Sequence, residues 1–314
     1  MKLISTILLG LSLAMMPLLS EAKTSHSLTL RGGGSGPYKA VVTEDSKLEG
    51  YSIIRPSDMK AAAAAEGKLP VILFGNGGCA RNSFGLLDFL TEVASHGYVI
   101  ITNGYWRESA PTREQEQATM EAIVKKNGGN RPSSYDDAMA LLKALDYIEE
   151  RSYNRKSEFY KVIDTDNLAV SGQSCGGLQA LMMGTSGDVR VKTVVPVNSG
   201  IFGREDSMSQ ILGNLTKKDL EKINVPVAYF CGGEEDIAYP NGASDYDYIS
   251  HVPVVFGNCP SGHPGPYEKP DWYAPIYTAW MDWMLKSDYT YAPYFMGTKE
   301  SGNFPEWTLL RKNF

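Results

Sequence analysis

Histidine is scarce in this chain, four in 314 residues, so any chemistry that needs an imidazole has few places to find one. Cysteine is equally rare, also four, too few for a fold stapled by disulfides in place of a core. Beyond Leu19 no apolar run is long enough to cross a bilayer, so stable membrane insertion is not expected. Positive charge is never concentrated: the formal net charge is −6 and no basic cluster stands ready for a phosphate backbone, which argues against nucleic acid as a partner. There is no G-x-G-x-x-G and no lysine at Walker spacing, so the glycines do not spell a nucleotide cradle. No metal or organic cofactor is implied. Internal repeats and low-complexity blocks are missing too.

The N-terminus has the plan of a signal peptide. Met1 to Ala22 holds one positive charge at Lys2, an apolar run from Leu3 to Leu19, and Ser20-Glu21-Ala22 as a small-x-small cleavage site. A secreted or periplasmic protein is expected, with residues 23–314 as a single domain. Over that length strand-like and helix-like patterns alternate, the arrangement of an α/β fold. Strands are expected near 38–43, 51–55, 71–74, 98–102, 167–171, 191–197, 225–230 and 252–256, which makes a mostly parallel eight-stranded sheet with helices on both faces. Ser134 to Glu150 places Ala138, Leu141, Leu142 and Leu145 on one helical face, and Ile276, Ala279, Trp280, Trp283 and Met284 do the same near the C-terminus. The alanine run 61–65 reads as a surface connection. Residues 104–132, long and polar between a strand and a helix, are expected to border a substrate pocket.

One stretch carries chemistry. Gly172-Gln173-Ser174-Cys175-Gly176 follows the apolar run Leu168-Ala169-Val170 and precedes a helix-compatible run, so it is a G-x-S-x-G elbow in strand-turn-helix context. Such a turn strains the serine backbone and lifts the hydroxyl above the sheet, which leaves room only for glycine two residues to either side. A hydroxyl is a poor nucleophile at neutral pH and needs an imidazole to take its proton and a carboxylate to orient that imidazole. His26 falls in the N-terminal segment, His96 ends a helix, and His251 precedes its strand. His263 follows the strand at 252–256 in a Gly- and Pro-rich loop and is the candidate base. Asp236, in the loop after the strand at 225–230, is the candidate orienting acid over Glu234 and Glu235. The order Ser, Asp, His is that of α/β-hydrolases. An oxyanion also needs donors: one is the backbone N–H of Cys175, and the other should lie in Gly75-Asn76-Gly77-Gly78 after the strand at 71–74.

With these residues the chain resembles the α/β-hydrolase superfamily, and within it the branch of dienelactone hydrolases and bacterial cutinase-like polyester hydrolases. Gly77-Gly78-Cys79-Ala80-Arg81-Asn82-Ser83 and Ala94-Ser95-His96-Gly97-Tyr98-Val99-Ile100 look like that branch's oxyanion loop, first helix and next strand. The resemblance spans about Tyr38 to Lys286 and assigns the second oxyanion donor to Gly78. It also marks departures. Gly78 replaces a bulky or aromatic residue, Gln173 and Cys175 replace the His and Met that flank the serine, and Asn198 stands where Trp is common. Some relatives bridge the acid and base loops, which implies a Cys231–Cys259 disulfide here if the two strands are neighbours. Cys79 and Cys175 flank the expected oxyanion hole and are a second pairing, with Cys175 as a small packed apolar residue the alternative.

The expected activity is hydrolysis of carboxylic esters by a secreted serine esterase, cutinase-like or lipase-like, through a Ser-His-Asp triad and an acyl-enzyme. A serine peptidase or an acyltransferase on the same fold is the nearest alternative, and a noncatalytic binding protein the alternative of another class.

Overall fold

A computed structural model describes residues 32–105, 109–202, 214–298 and 303–314. The expected signal peptide, and residues 106–108 of the polar segment 104–132, therefore lie outside the described residues. In chain order the strands are β1 (Ala40–Thr43), β2 (Tyr51–Pro56), β3 (Leu69–Gly75), β4 (Val99–Asn103), β5 (Ile163–Gln173), β6 (Val191–Val197), β7 (Val227–Cys231), β8 (Val254–Asn258) and β9 (Thr308–Lys312). The helices are α1 (Met59–Glu66), α2 (Leu87–Ser95), α3 (Arg113–Lys126), α4 (Ser134–Tyr153), α5 (Cys175–Gly184), α6 (Tyr239–Tyr248), α7 (Gly265–Glu268), α8 (Pro270–Lys286) and α9 (Ala292–Met296).

The strands form one sheet in the order β1-β2-β4-β3-β5-β6-β7-β8-β9. The run from β4 to β8 is parallel, while β1 and β2 at one end and β9 at the other are antiparallel. Helices cover both faces. Successive strand residues point to opposite sides of a sheet, and here they feed two cores. Val71 and Leu73 pack with α4 and α5, while Ile72 and Phe74 pack with α2 and α8. Because both faces are covered, the parallel strands are apolar throughout instead of alternating; β3 is buried along its whole length.

The sequence reading of this architecture needs three corrections. The sheet has nine strands, not eight. The additional one, β9, is an edge strand with exposed and half-buried residues, so it carries no apolar run to announce it. The alanine run is helix α1, capped at Asp58, whose carboxylate accepts from the Ala61 N–H at 2.9 Å; alanine has the highest intrinsic helix propensity, and the cap sets where the helix starts. The polar segment 104–132 contains α3, begun by a capping box between Thr112 and Gln115. No residue of α3 is buried, so no apolar stripe betrays it.

The two expected amphipathic helices are present. A second capping box, Ser133 with Asp136, starts α4, which buries Ala138, Leu141, Leu142 and Leu145. The other, α8, ends at Ser287 in the left-handed region (φ 56°) and buries Ile276, Ala279 and Trp280, with Trp283 and Met284 half-buried against the same core. Among the described residues, no helix is long and apolar enough to cross a membrane.

Candidate active site

Parallel strands all point their C-terminal ends to one edge, and the loops leaving that edge can meet above it. Here β3, β5, β6, β7 and β8 are consecutive neighbours. The residues just beyond them are Gly78, Ser174, Asn198, Asp236 and His263. The sheet order thus gathers into one place residues that are scattered along nearly two hundred positions of sequence.

Ser174 sits between β5 and α5 at φ 53° and ψ −117°, a conformation that L-residues avoid and that persists only when the surroundings impose it. Those surroundings are backbone and one hydroxyl. The Ser174 N–H donates to the Val197 carbonyl (2.9 Å), and the Ser199 hydroxyl donates to the Ser174 carbonyl (2.7 Å). A side chain at Gly176 would overlap the Gly75 carbonyl, and one at Gly172 would overlap the carbonyl of Gly176. Both elbow glycines are therefore required by contact between β3, β5 and α5.

The three expected side chains meet. His263 Nε2 lies 2.9 Å from Ser174 Oγ, and His263 Nδ1 lies 2.6 Å from Asp236 Oδ1. An ionised carboxylate can only accept, so Nδ1 carries the proton and Nε2 is left to accept from the serine. Asp236 is held on every side. Its Oδ1 also accepts from the Ala238 N–H (2.9 Å), and its Oδ2 accepts from the Gly232 N–H (2.9 Å) and Asn198 Nδ2 (2.7 Å). Burial pushes the Asp236 carboxyl up, but hydrogen bonds from His263, Ala238, Gly232 and Asn198 outweigh it and hold the group below the ordinary carboxylate range. Glu234 and Glu235, the rival carboxylates, are exposed. His96 pairs with Glu92 (3.2 Å), and His251 reaches the Ile223 carbonyl (2.8 Å); His26 lies outside the described residues.

A cavity of about 580 Å³ opens beside the serine, with Gly78, Cys175, Ser174 and His263 all on its wall. Gly78 adopts φ +62°, and a side chain there would meet nothing within 4 Å. The place a side chain would take is thus open, in a turn that an L-residue would strain. Segment 104–132 does border this space: Met120, Arg131 and Pro132 line it together with Leu178, Phe202 and Ile237.

Of the two pairings considered from sequence, the structure has the second, Cys79–Cys175, and not Cys231–Cys259. Cys79 and Cys175 are bonded, with Cα atoms 5.3 Å apart, while Cys231 and Cys259 are free thiols. The reason is register. β7 and β8 are neighbours as the expectation required, but Cys231 pairs with Asn258. Cys259 is one residue further along, and a one-residue step turns a side chain to the opposite face. Cys231 accordingly packs in one core, beside Gly242 of α6, and Cys259 in the other, with α8. β3 and β5 are adjacent, so the turn after β3 and the first residue of α5 lie side by side, where the Cys79–Cys175 bridge closes.

Three supports were not singled out from sequence as parts of the site. Asn198, at φ 46°, gives its amide to Asp236, to the Gly262 carbonyl (3.2 Å) and to Tyr273 Oη (3.1 Å). Gln173 Nε2 donates to the His263 carbonyl (3.1 Å), so the residue before the serine steadies the base loop. Arg81, just past the Gly78 turn, pairs with the buried Asp137 of α4. The available signal for Asn198 is positional: Asn198-Ser199-Gly200 is the polar stretch that ends an apolar strand, as the acid and base loops are. Compared with protein-family models and with curated protein sequences, the chain matches none.

Proposed function

We propose that this protein is a serine hydrolase of carboxylic esters, built on an α/β-hydrolase fold and acting through an acyl-enzyme. The observation that carries the reading is the continuous relay from Ser174 Oγ through the His263 ring to Asp236, at 2.9 and 2.6 Å, with the serine strained upward into a cavity. In the proposed mechanism His263 Nε2 takes the Ser174 proton as Oγ attacks the ester carbonyl. Asp236 stabilises the imidazolium that forms. The N–H groups of Cys175 and Gly78 receive the negative oxygen. His263 then returns the proton to the leaving alcohol, and water releases the acyl group by the same steps. The cutinase-like resemblance of the sequence supports the fold assignment. An apolar cavity wall formed by Leu178, Phe202 and Ile237 suits an acyl chain.

The test is hydrolysis of p-nitrophenyl esters from acetate to palmitate by the purified protein beside Ser174→Ala. Removing a nucleophile of this kind lowers turnover by roughly 10⁵- to 10⁶-fold, so the variant should fall to background. Turnover that survives in Ser174→Ala would refute the mechanism, and a peptide or an acceptor alcohol preferred over water would redirect it to peptidase or acyltransferase chemistry.

A further inference from the structure

Two cavities meet at the turn that carries Gly78. The first holds Ser174 and His263. The second, about 320 Å³, is walled by Pro111, Glu116 and Thr119. Gly78, Cys79, Arg81, Met120 and Arg131 line both, so a ligand in either one passes the same guanidinium groups. Along the wall of the first cavity the other charges are paired. Arg81 is bonded to Asp137. Glu116 lies on the wall of the second cavity and not of the first; it accepts from the neutral Asn82 amide at 3.3 Å and keeps its negative charge. The positive end of α4 also faces the first cavity through Ser133 and Ser134, but Asp136 accepts from both the N–H and the hydroxyl of Ser133 and answers that end.

Arg131 is the exception. It is exposed, lines both cavities, and makes no ion pair among the described residues. Asp137 feels its charge but is committed to Arg81. A planar guanidinium with free donors on the wall of the mostly apolar first cavity recognises an oxyanion, best in a bidentate arrangement. In the first cavity, which Glu116 does not line, one uncompensated positive charge matches a monoanion, whereas a phosphate dianion would leave a negative charge unanswered.

Resting on the hydrolase reading above, we propose that the Ser174 site is selective for esters that carry a carboxylate, with Arg131 as its countercharge and Leu178, Phe202, Ile237 and Met120 holding the apolar body of the substrate. Arg131 is a binding residue here and takes no part in proton transfer.

The experiment compares matched ester pairs, each rate divided by that ester's alkaline hydrolysis rate. Mono-p-nitrophenyl glutarate against p-nitrophenyl valerate places the carboxylate on the acyl side; 3-(butyryloxy)benzoate against phenyl butyrate places it on the alcohol side. The anionic member should have the higher kcat/KM in one of the two pairs, by roughly five- to tenfold for a partly desolvated charge-assisted contact. One molar salt should shrink that ratio. Arg131→Gln should bring it close to one, whereas Lys143→Gln, an equal charge change on the exposed side of α4, should leave it standing. The same pairs are titrated as ligands into Ser174→Ala, with and without Arg131→Gln. If the wild-type protein turns over no ester, the hydrolase reading fails, and the binding ratio still decides the role of Arg131. A ratio near one on both sides, or one that Arg131→Gln does not change, overturns the proposal.

Discussion

The two sides of the candidate site are built in opposite ways. On one side Asp236, His263 and the Ser174 turn are fixed by buried backbone: Asp236 is 1% exposed and has a hydrogen bond on each available side. On the other side α3, which supplies Met120 to both cavities, has no buried residue. Proton transfer needs atoms held to a fraction of an ångström, and only a packed core with satisfied polar groups provides that. A wall that selects among ligands needs shape and charge and can rest on the surface. The contrast places the proposed chemistry in the sheet and the proposed selectivity in the segment between β4 and α4.

The sharpest way to test the rigid side is Asp236→Asn. The amide cannot accept from Nδ1 as the carboxylate does, and where it donates instead it favours the wrong imidazole tautomer. A loss of roughly a thousand- to ten-thousand-fold in kcat is expected. A loss below tenfold would show that Asp236 is a structural anchor of its loop and nothing more. The same variant carries a pH signature. Because the native carboxyl is held below its ordinary value, its contribution to stability is fully present above about pH 4 and fades as the pH falls through the still lower native value. Urea unfolding should therefore show a wild-type advantage over Asp236→Asn at neutral pH that closes in acid.

The same contrast explains what could be read without coordinates. The elbow is legible because its requirements are local: two glycines and a serine between a strand and a helix. Asp236 and His263 are legible because polar residues after an apolar strand have few other reasons to be there. The parallel strands announce themselves by being buried on both faces. What fails is what depends on the register between neighbouring strands. The pairing of Cys231 with Asn258 instead of Cys259 is decided by a single-residue offset that no spacing reveals. Helix α3 is hidden for a different reason: lacking a buried stripe, it is marked only by its Thr112–Gln115 cap.

The Cys79–Cys175 bridge ties the two proposed oxyanion donors to each other, and its removal tests whether that side of the site needs a covalent brace. Cys79→Ser with Cys175→Ser should lower unfolding free energy by about 2–4 kcal/mol, since the bridge closes a loop of 96 residues in the unfolded chain. It should also lower kcat by about tenfold, as the spacing of the two N–H groups relaxes. Thermal melting and kcat measured together separate the two effects. A lower melting temperature with unchanged kcat would mean that backbone contacts at Gly75 and Gly176 alone hold the turn.

The smallest effect should come from the loose side. Met120 is half-buried and lies on the wall of both cavities, so Met120→Ala removes apolar contact from a bound ligand and very little from the fold. Its cost in stability should stay within about 0.5 kcal/mol. The ratio of kcat/KM for octanoate over acetate should fall by about three- to fivefold, the scale of about one methylene of lost burial. If the variant instead melts several degrees lower with the ratio unchanged, α3 is a structural element of the core and the division between a rigid catalytic side and an adaptable binding side is wrong. If the ratio falls and the melting point holds, substrate range can be altered along α3 without disturbing the relay that the sheet holds in place.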